Sequence, residues 1–259
     1  MGVIDDRVQL EPGQYASIFI SERPLAPPGY GETMVEVMAE AEQIGIALDP
    51  QDMKLRRDFR SVLTFTIDPQ DAKDFDDAIS FESNTNGTYT IGVHIADVSH
   101  YVQEGTLLDK EALNRATSVY LADRTIPMLP EHLSNNLCSL RPNEDRLAFT
   151  AIFEMDEDAN VLSEWFGKTV IHSQRRYTYE EAQERIESKE GDYQKELNIC
   201  NDLAKKLKGK RFENGAIAFE SSVGGRAGSI AVSLVAVVPP AAGYHERVVR
   251  LHWHRGADY

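Results

Sequence analysis

A chain of 259 residues, 42% hydrophobic and 27% charged, is long enough to bury a substantial core and has the composition of a globular protein. No apolar run approaches the roughly 18 residues of a membrane span. The start MGVIDDRVQL lacks the pattern of a signal peptide, and two cysteines, Cys138 and Cys200, are too few for a disulfide framework, so a reducing cytoplasm is the expected compartment. A net charge of −15 excludes binding of a polyanion by overall basicity. Such a partner would need local positive patches, and KLRRDFR (54–60), Arg175 with Arg176, and KKLKGKR (205–211) are the candidates, the last also readable as the solvated end of a helix.

In chain order, ETMVEVMAEAEQIGI (32–46) reads as a helix after a Pro- and Gly-bearing start, and the stretch to residue 60 reads as a linker. VLTFTI (62–67) alternates β-branched and aromatic residues as a buried strand does, and a second strand follows at 78–83. The Asn-Gly pair in NTNG (84–87) predicts a tight turn into the strand YTIGVHIA (89–96). Thr106 and Asp109 resemble a capping pair for a helix over 107–116. LAFTAIFEMD (147–156) and VLSEWFGKTVI (161–171) predict a second hairpin around EDAN. Thr178 and Glu181 form a capping box for a helix to about 188. A longer helix over 193–212 carries Leu197, Cys200, Leu203 and Leu207 along one stripe. Strand pairs interleaved with helices predict an α+β fold with a largely antiparallel sheet and packed helices.

The chemistry concentrates between the first two strands. FTIDPQDAKDFDDAI (65–79) has aspartate at five of the ten positions from Asp68 to Asp77. Carboxylates this crowded repel one another unless cations neutralise them, which makes a divalent metal site the economical explanation. Hard oxygen donors with no neighbouring cysteine favour Mg²⁺ or Mn²⁺ over zinc, and the surplus of carboxylates favours two ions over one. An EF-hand loop is disfavoured because its glycine and helical flanks are missing, and an aspartate-nucleophile phosphatase because Ala78 stands where its threonine should be. A solvated acidic turn is the ordinary alternative.

TIDPQDAKDFDDAIS resembles the signature of the ribonuclease II and ribonuclease R family, the RNB catalytic domain. YTIGVHIADVSHYV (89–102), TSVYLADRTIPMLPEHLSNNLCSLRPNEDRL (117–147), RRYTYEEA (175–182) and NGAIAFES (214–221) follow the same family in the same order. The resemblance implies a hydrolytic exoribonuclease that shortens single-stranded RNA from its 3′ end and releases nucleoside 5′-monophosphates. Matched residue by residue, Asp68, Asp74, Asp76 and Asp77 become the metal-binding aspartates, with Asp74 and Asp76 also catalytic, while Asp71 falls outside the four. Tyr120 aligns with a tyrosine that packs on the terminal nucleotide. His94 and His100 receive no catalytic role, His94 being read as a satisfied structural histidine.

By this reading residues 1–50 are an N-terminal segment, the end of a cold-shock domain plus a helix, residues 51–221 are the first part of the RNB catalytic domain, and 222–259 form a tail that departs from the family. His252 and His254 in that tail lack the further ligands a metal site needs. The family's TSPIRRY-like segment has no counterpart, so a catalytically incomplete RNA-binding fragment is the alternative to an active nuclease. The expected partner is single-stranded RNA and not DNA or a membrane, and a monomer is expected.

Overall fold

The computed structural model describes residues 30–45, 50–120 and 125–216. In chain order the elements are α1 (Tyr30–Gln43), α2 (Pro50–Leu55), β1 (Arg57–Asp58), β2 (Leu63–Asp68), β3 (Asp77–Ser83), β4 (Tyr89–Ala96), α3 (Val98–Tyr101) and α4 (Leu107–Arg115). They continue with β5 (Val119–Tyr120), β6 (Thr125–Ile126), a π-helical turn (Leu133–Leu137), β7 (Asp145–Met155), β8 (Val161–His172), β9 (Arg175–Thr178), α5 (Tyr179–Ser188) and α6 (Gln194–Glu213). The described residues divide into two compact units, one drawn from 30–45 and 98–137, the other from 50–97 and 138–216. The expected tail at 222–259 and the segment before residue 30 lie outside the described residues.

The larger unit is built on a seven-stranded sheet of order β1-β8-β7-β4-β3-β2-β9. Its centre is antiparallel, as the hairpin signals predict, but both edge pairs, β1 with β8 and β2 with β9, are parallel. Alternation sorts the strands into two faces. One carries Phe65, Phe81, Ile91, Phe153, Met155 and Tyr177, which pack with Ala182 of α5 and with Leu197, Cys200 and Leu203 of α6. The stripe expected on α6 is therefore its core face, and Cys200 is a buried thiol whose pKa burial pushes up to about 12.

The other face holds a buried polar set that includes Thr64, Thr66, Ser80, His94, Thr150 and Thr169. His94 shares a hydrogen bond of 2.8 Å between Nδ1 and the Thr150 hydroxyl, which in turn lies 2.6 Å from the Thr169 hydroxyl. Burial drives the imidazole pKa down to about 3, so His94 is neutral here. The expected structural role holds, although Nε2 has no partner. Gly92 makes this packing possible. A Cβ there would sit 2.2 Å from Ser80 Oγ and 2.8 Å from His94 Nε2. Gly92→Ala is therefore expected to destabilise the fold by about 1–3 kcal/mol through overpacking, read as a lower urea midpoint with an unchanged slope.

Local chemistry closes the elements as the sequence suggests. Thr178 and Glu181 form the reciprocal capping box of α5, and Thr106 accepts from the Asp109 amide at the start of α4. Gly87, at φ +82°, completes the β3–β4 turn. In the smaller unit, α1 packs on α4 with Val37, Ala41 and Leu108 buried, and a ring nitrogen of His132 lies 3.2 Å from the Ile44 carbonyl oxygen.

Candidate metal and nucleic-acid site

The aspartate run connects β2 to β3 at one end of the sheet. Phe65 and Ile67 face the core under α5 and α6, and this anchoring delivers Asp68 at the end of β2, opposite Thr178 of β9. Asp77 opens β3 opposite Ile95. Between them the backbone has no ladder of its own, so its polar groups must find partners elsewhere. Ala72 N donates to Pro69 O at 3.1 Å, and Ala96 N donates to Asp76 O at 3.0 Å. Arg176 of β9 donates through one terminal nitrogen to the Pro69 and Gln70 carbonyls and lays its guanidinium 5.5 Å from the Phe75 ring centroid. These contacts hold the turn from one side.

Three of the four predicted aspartates bear the marks of a crowded acidic site. Asp68 is only 6% exposed, and its Oδ2 is buried without a hydrogen-bond partner. Burial, with the charges of Asp76 and Asp74 nearby, raises its pKa to about 6. Burial and the charges of Asp76 and Asp68 raise Asp77 to about 7. Asp76 is exposed, yet surrounding protein and the Asp74 charge still raise its pKa. Asp74 is half-buried and acts on both Asp68 and Asp76. Asp71 is exposed, as Asp76 is.

Among the described residues no three Asp, Glu, His or Cys side chains converge closely enough to enclose an ion. The four carboxylates therefore do not make the preformed cage that their density suggests. Mutual repulsion of like charges favours separated side chains, and Mg²⁺ needs only one or two direct carboxylates because it keeps several waters. A buried carboxylate oxygen without a donor, beside further hard oxygen donors, fits a divalent cation and is poorly suited to any soft metal.

Sequence reasoning missed two neighbours of this loop. Tyr179, the first residue of α5, has its phenol pKa raised by burial and by the charges of Asp68, Asp77 and Asp76. It reaches the site because β9 pairs with β2, a contact that nothing in RRYTYEEA announces by itself. Ser139 is the other, while Arg176, expected as part of a basic patch, proves to hold the backbone of the loop. Tyr120 lies in the smaller unit, at the end of β5, paired with Thr125 of β6.

The expected basic patches are largely engaged within the fold. Arg56 is buried and donates to Asp97 at 2.7 Å and to Asp52 at 2.6 Å, and Arg60 is bound to Asp58 and Asp145. Arg175 pairs with Asp192 at 2.9 Å. Lys206 and Lys210 reach the carbonyls of Glu157 and Ala159 and so fasten the β7–β8 turn to α6, while Lys205, Lys206 and Lys208 stay exposed, as the solvated end of a helix does.

Residues 56–233 match the RNB domain model, and the chain belongs to the RNB domain family. Ribonuclease R of Thermotoga maritima is 47% identical over 196 residues, covering 73% of this chain and 28% of that protein. The solved structure of Mycoplasma genitalium RNase R in complex with ribose methylated single-stranded RNA aligns with a TM-score of 0.65 at 28% identity, over 70% of this chain and 29% of that one. Yeast Ssd1, described as a pseudonuclease, shares the fold at a TM-score of 0.58 and 22% identity, over 64% of this chain and 21% of its own. The chain spans about a quarter of the length of the curated relatives it matches. Among the described residues, no helix is long and apolar enough to cross a membrane.

Proposed function

We propose that this chain carries the aspartate half of a 3′-to-5′ exoribonuclease site, hydrolysing single-stranded RNA to nucleoside 5′-monophosphates in the cytoplasm as a monomer. The observation that carries the reading is the crowding of Asp68, Asp74, Asp76 and Asp77 at one strand end, with a buried Asp68 oxygen that no donor satisfies. Membership of the RNB family supports it, as does the RNase R identity of the relatives. The fold alone does not decide the chemistry, because a pseudonuclease shares it, so the acidic residues carry the argument.

Asp68, Asp74, Asp76 and Asp77 would hold Mg²⁺ or Mn²⁺, and two such ions would supply activation of a water and stabilisation of the departing 3′ oxygen. Asp76, the exposed member of the four, would orient the attacking water or the second ion. Asp74 sits beside it and completes the negative surface. Tyr120 stacks on the terminal base, an interaction of about 1–3 kcal/mol that accepts any sequence.

Labelled single-stranded RNA incubated with the chain, with and without Mg²⁺, tests the proposal. Release of 5′-monophosphates that EDTA abolishes is the expected result. RNA bound without product would favour a nonhydrolytic RNA-binding protein, and turnover of a small phosphate ester without a polymer would point to a different phosphoesterase.

A further inference from the structure

Ser139 is completely buried between the π-helical turn and β7, beside the buried Cys138 and Leu140. Its hydroxyl donates to the Lys73 carbonyl at 3.0 Å and accepts from the Phe75 amide at 3.0 Å. These two bonds straddle Asp74. The next residue adds a third, Leu140 N to Phe75 O at 2.6 Å. The Ser139 carbonyl is itself fixed by Nε of the buried Arg146 at 2.9 Å. One hydroxyl thus satisfies an amide and a carbonyl in a stretch that has no strand or helix to do so, and it fixes the backbone from which Asp74 and Asp76 project.

We infer that Ser139 is a positioning residue for the cation-binding aspartates, setting the direction of Asp74 and Asp76 through its bridge across residues 73–75. The inference rests on the reading of this loop as a cation site. The bridge holds residues 73 and 75, whereas Arg176 holds residues 69 and 70 earlier in the loop. With both in place the loop is anchored before any ion arrives, as a precise ligand set requires. Alanine at 139 would leave the Lys73 carbonyl and the Phe75 amide without the partly buried partner that holds them.

The test is a Mn²⁺ titration of the full chain by electron paramagnetic resonance, well below the melting temperature of each variant. Ser139→Ala is expected to weaken Mn²⁺ binding by about 10–100-fold, the range for loss of a group that orients metal ligands. Leu203→Ala, a core truncation under α6, should lower the melting temperature and leave Mn²⁺ affinity unchanged. Ser139→Cys, which keeps the volume but bridges poorly, should fall between wild type and alanine and serves as the comparison if Ser139→Ala does not fold. In wild type the Phe75 amide should be protected from hydrogen exchange. Unchanged Mn²⁺ affinity in both Ser139 variants, or a Phe75 amide exchanging like an exposed one, would overturn the positioning role while leaving the cation site intact. Wild type that binds no Mn²⁺, or binds it equally well as Asp68→Asn, would instead remove the cation site itself and the positioning role with it.

Discussion

Asp76→Asn is expected to lower the release of nucleoside monophosphates by roughly 10²–10⁴-fold, the contribution of a positioned acid or base, while RNA affinity stays close to that of wild type. The substitution keeps the shape of the side chain and removes its charge and basicity. Asp76 is the exposed one of the four predicted aspartates, and its backbone carbonyl is held by the Ala96 amide, so the change leaves the loop's anchors untouched. A single-turnover assay beside a filter-binding titration separates the two effects. Parallel loss of binding and turnover would show that Asp76 supports RNA binding and does not act on the water.

The second large effect concerns stability. Asp68 has a folded pKa of about 6 and Asp77 of about 7, both raised from 3.8. The folded chain therefore holds these protons when the unfolded chain has released them, so their contribution is fully present below about pH 4 and is lost as pH rises through 6 and 7. For Asp68 the rise from 3.8 to about 6 corresponds to about 3 kcal/mol. His94 works in the opposite direction. Its folded pKa of about 3 lies below 6.5, so its burial opposes folding most in acid and ceases to do so as pH rises through that window.

The two effects separate when a divalent cation is added, because only the aspartates respond to it. Saturating Mg²⁺ should raise the melting temperature by several degrees more at pH 8 than at pH 5.5, since about 1 kcal/mol corresponds to 2–4 °C for a chain of this size. Asp68→Asn should melt higher than wild type at pH 8 without Mg²⁺, because a buried charge is gone, and should lose much of the benefit of the cation. An Mg²⁺ increment independent of pH would contradict the placement of these carboxylates.

Local signals carried much of the fold and the acidic part of the site. The alternation of 62–67, the Asn-Gly turn, the Thr178–Glu181 box and the leucine stripe of α6 each act over a few residues, and each appears within a residue or two of its expected place. Contacts between distant segments were not legible. The parallel pairing of β2 with β9 joins Asp68 to Thr178 and brings Tyr179 to the acidic loop, yet β9 is only four residues long and has no alternation to reveal it. Ser139 bonds to a loop more than sixty positions earlier, so nothing in the residues around it announces the contact. The helix α2 and the strand β1 lie where a linker is expected, because six and two residues are too few to show a period. The basic clusters show the same limit from the other side, since charge is visible in a sequence but the carboxylate or carbonyl that absorbs it is not.

Anomalous scattering from Mn²⁺-soaked crystals of the chain tests the cation site most directly. Anomalous peaks touching Asp68 Oδ2 and at least one of Asp74, Asp76 and Asp77, with the side chains drawn together around them, are the expected result. A fully loaded crystal whose only Mn²⁺ lies elsewhere, with Asp68 Oδ2 still unpartnered, would contradict the site and the exoribonuclease reading built on it.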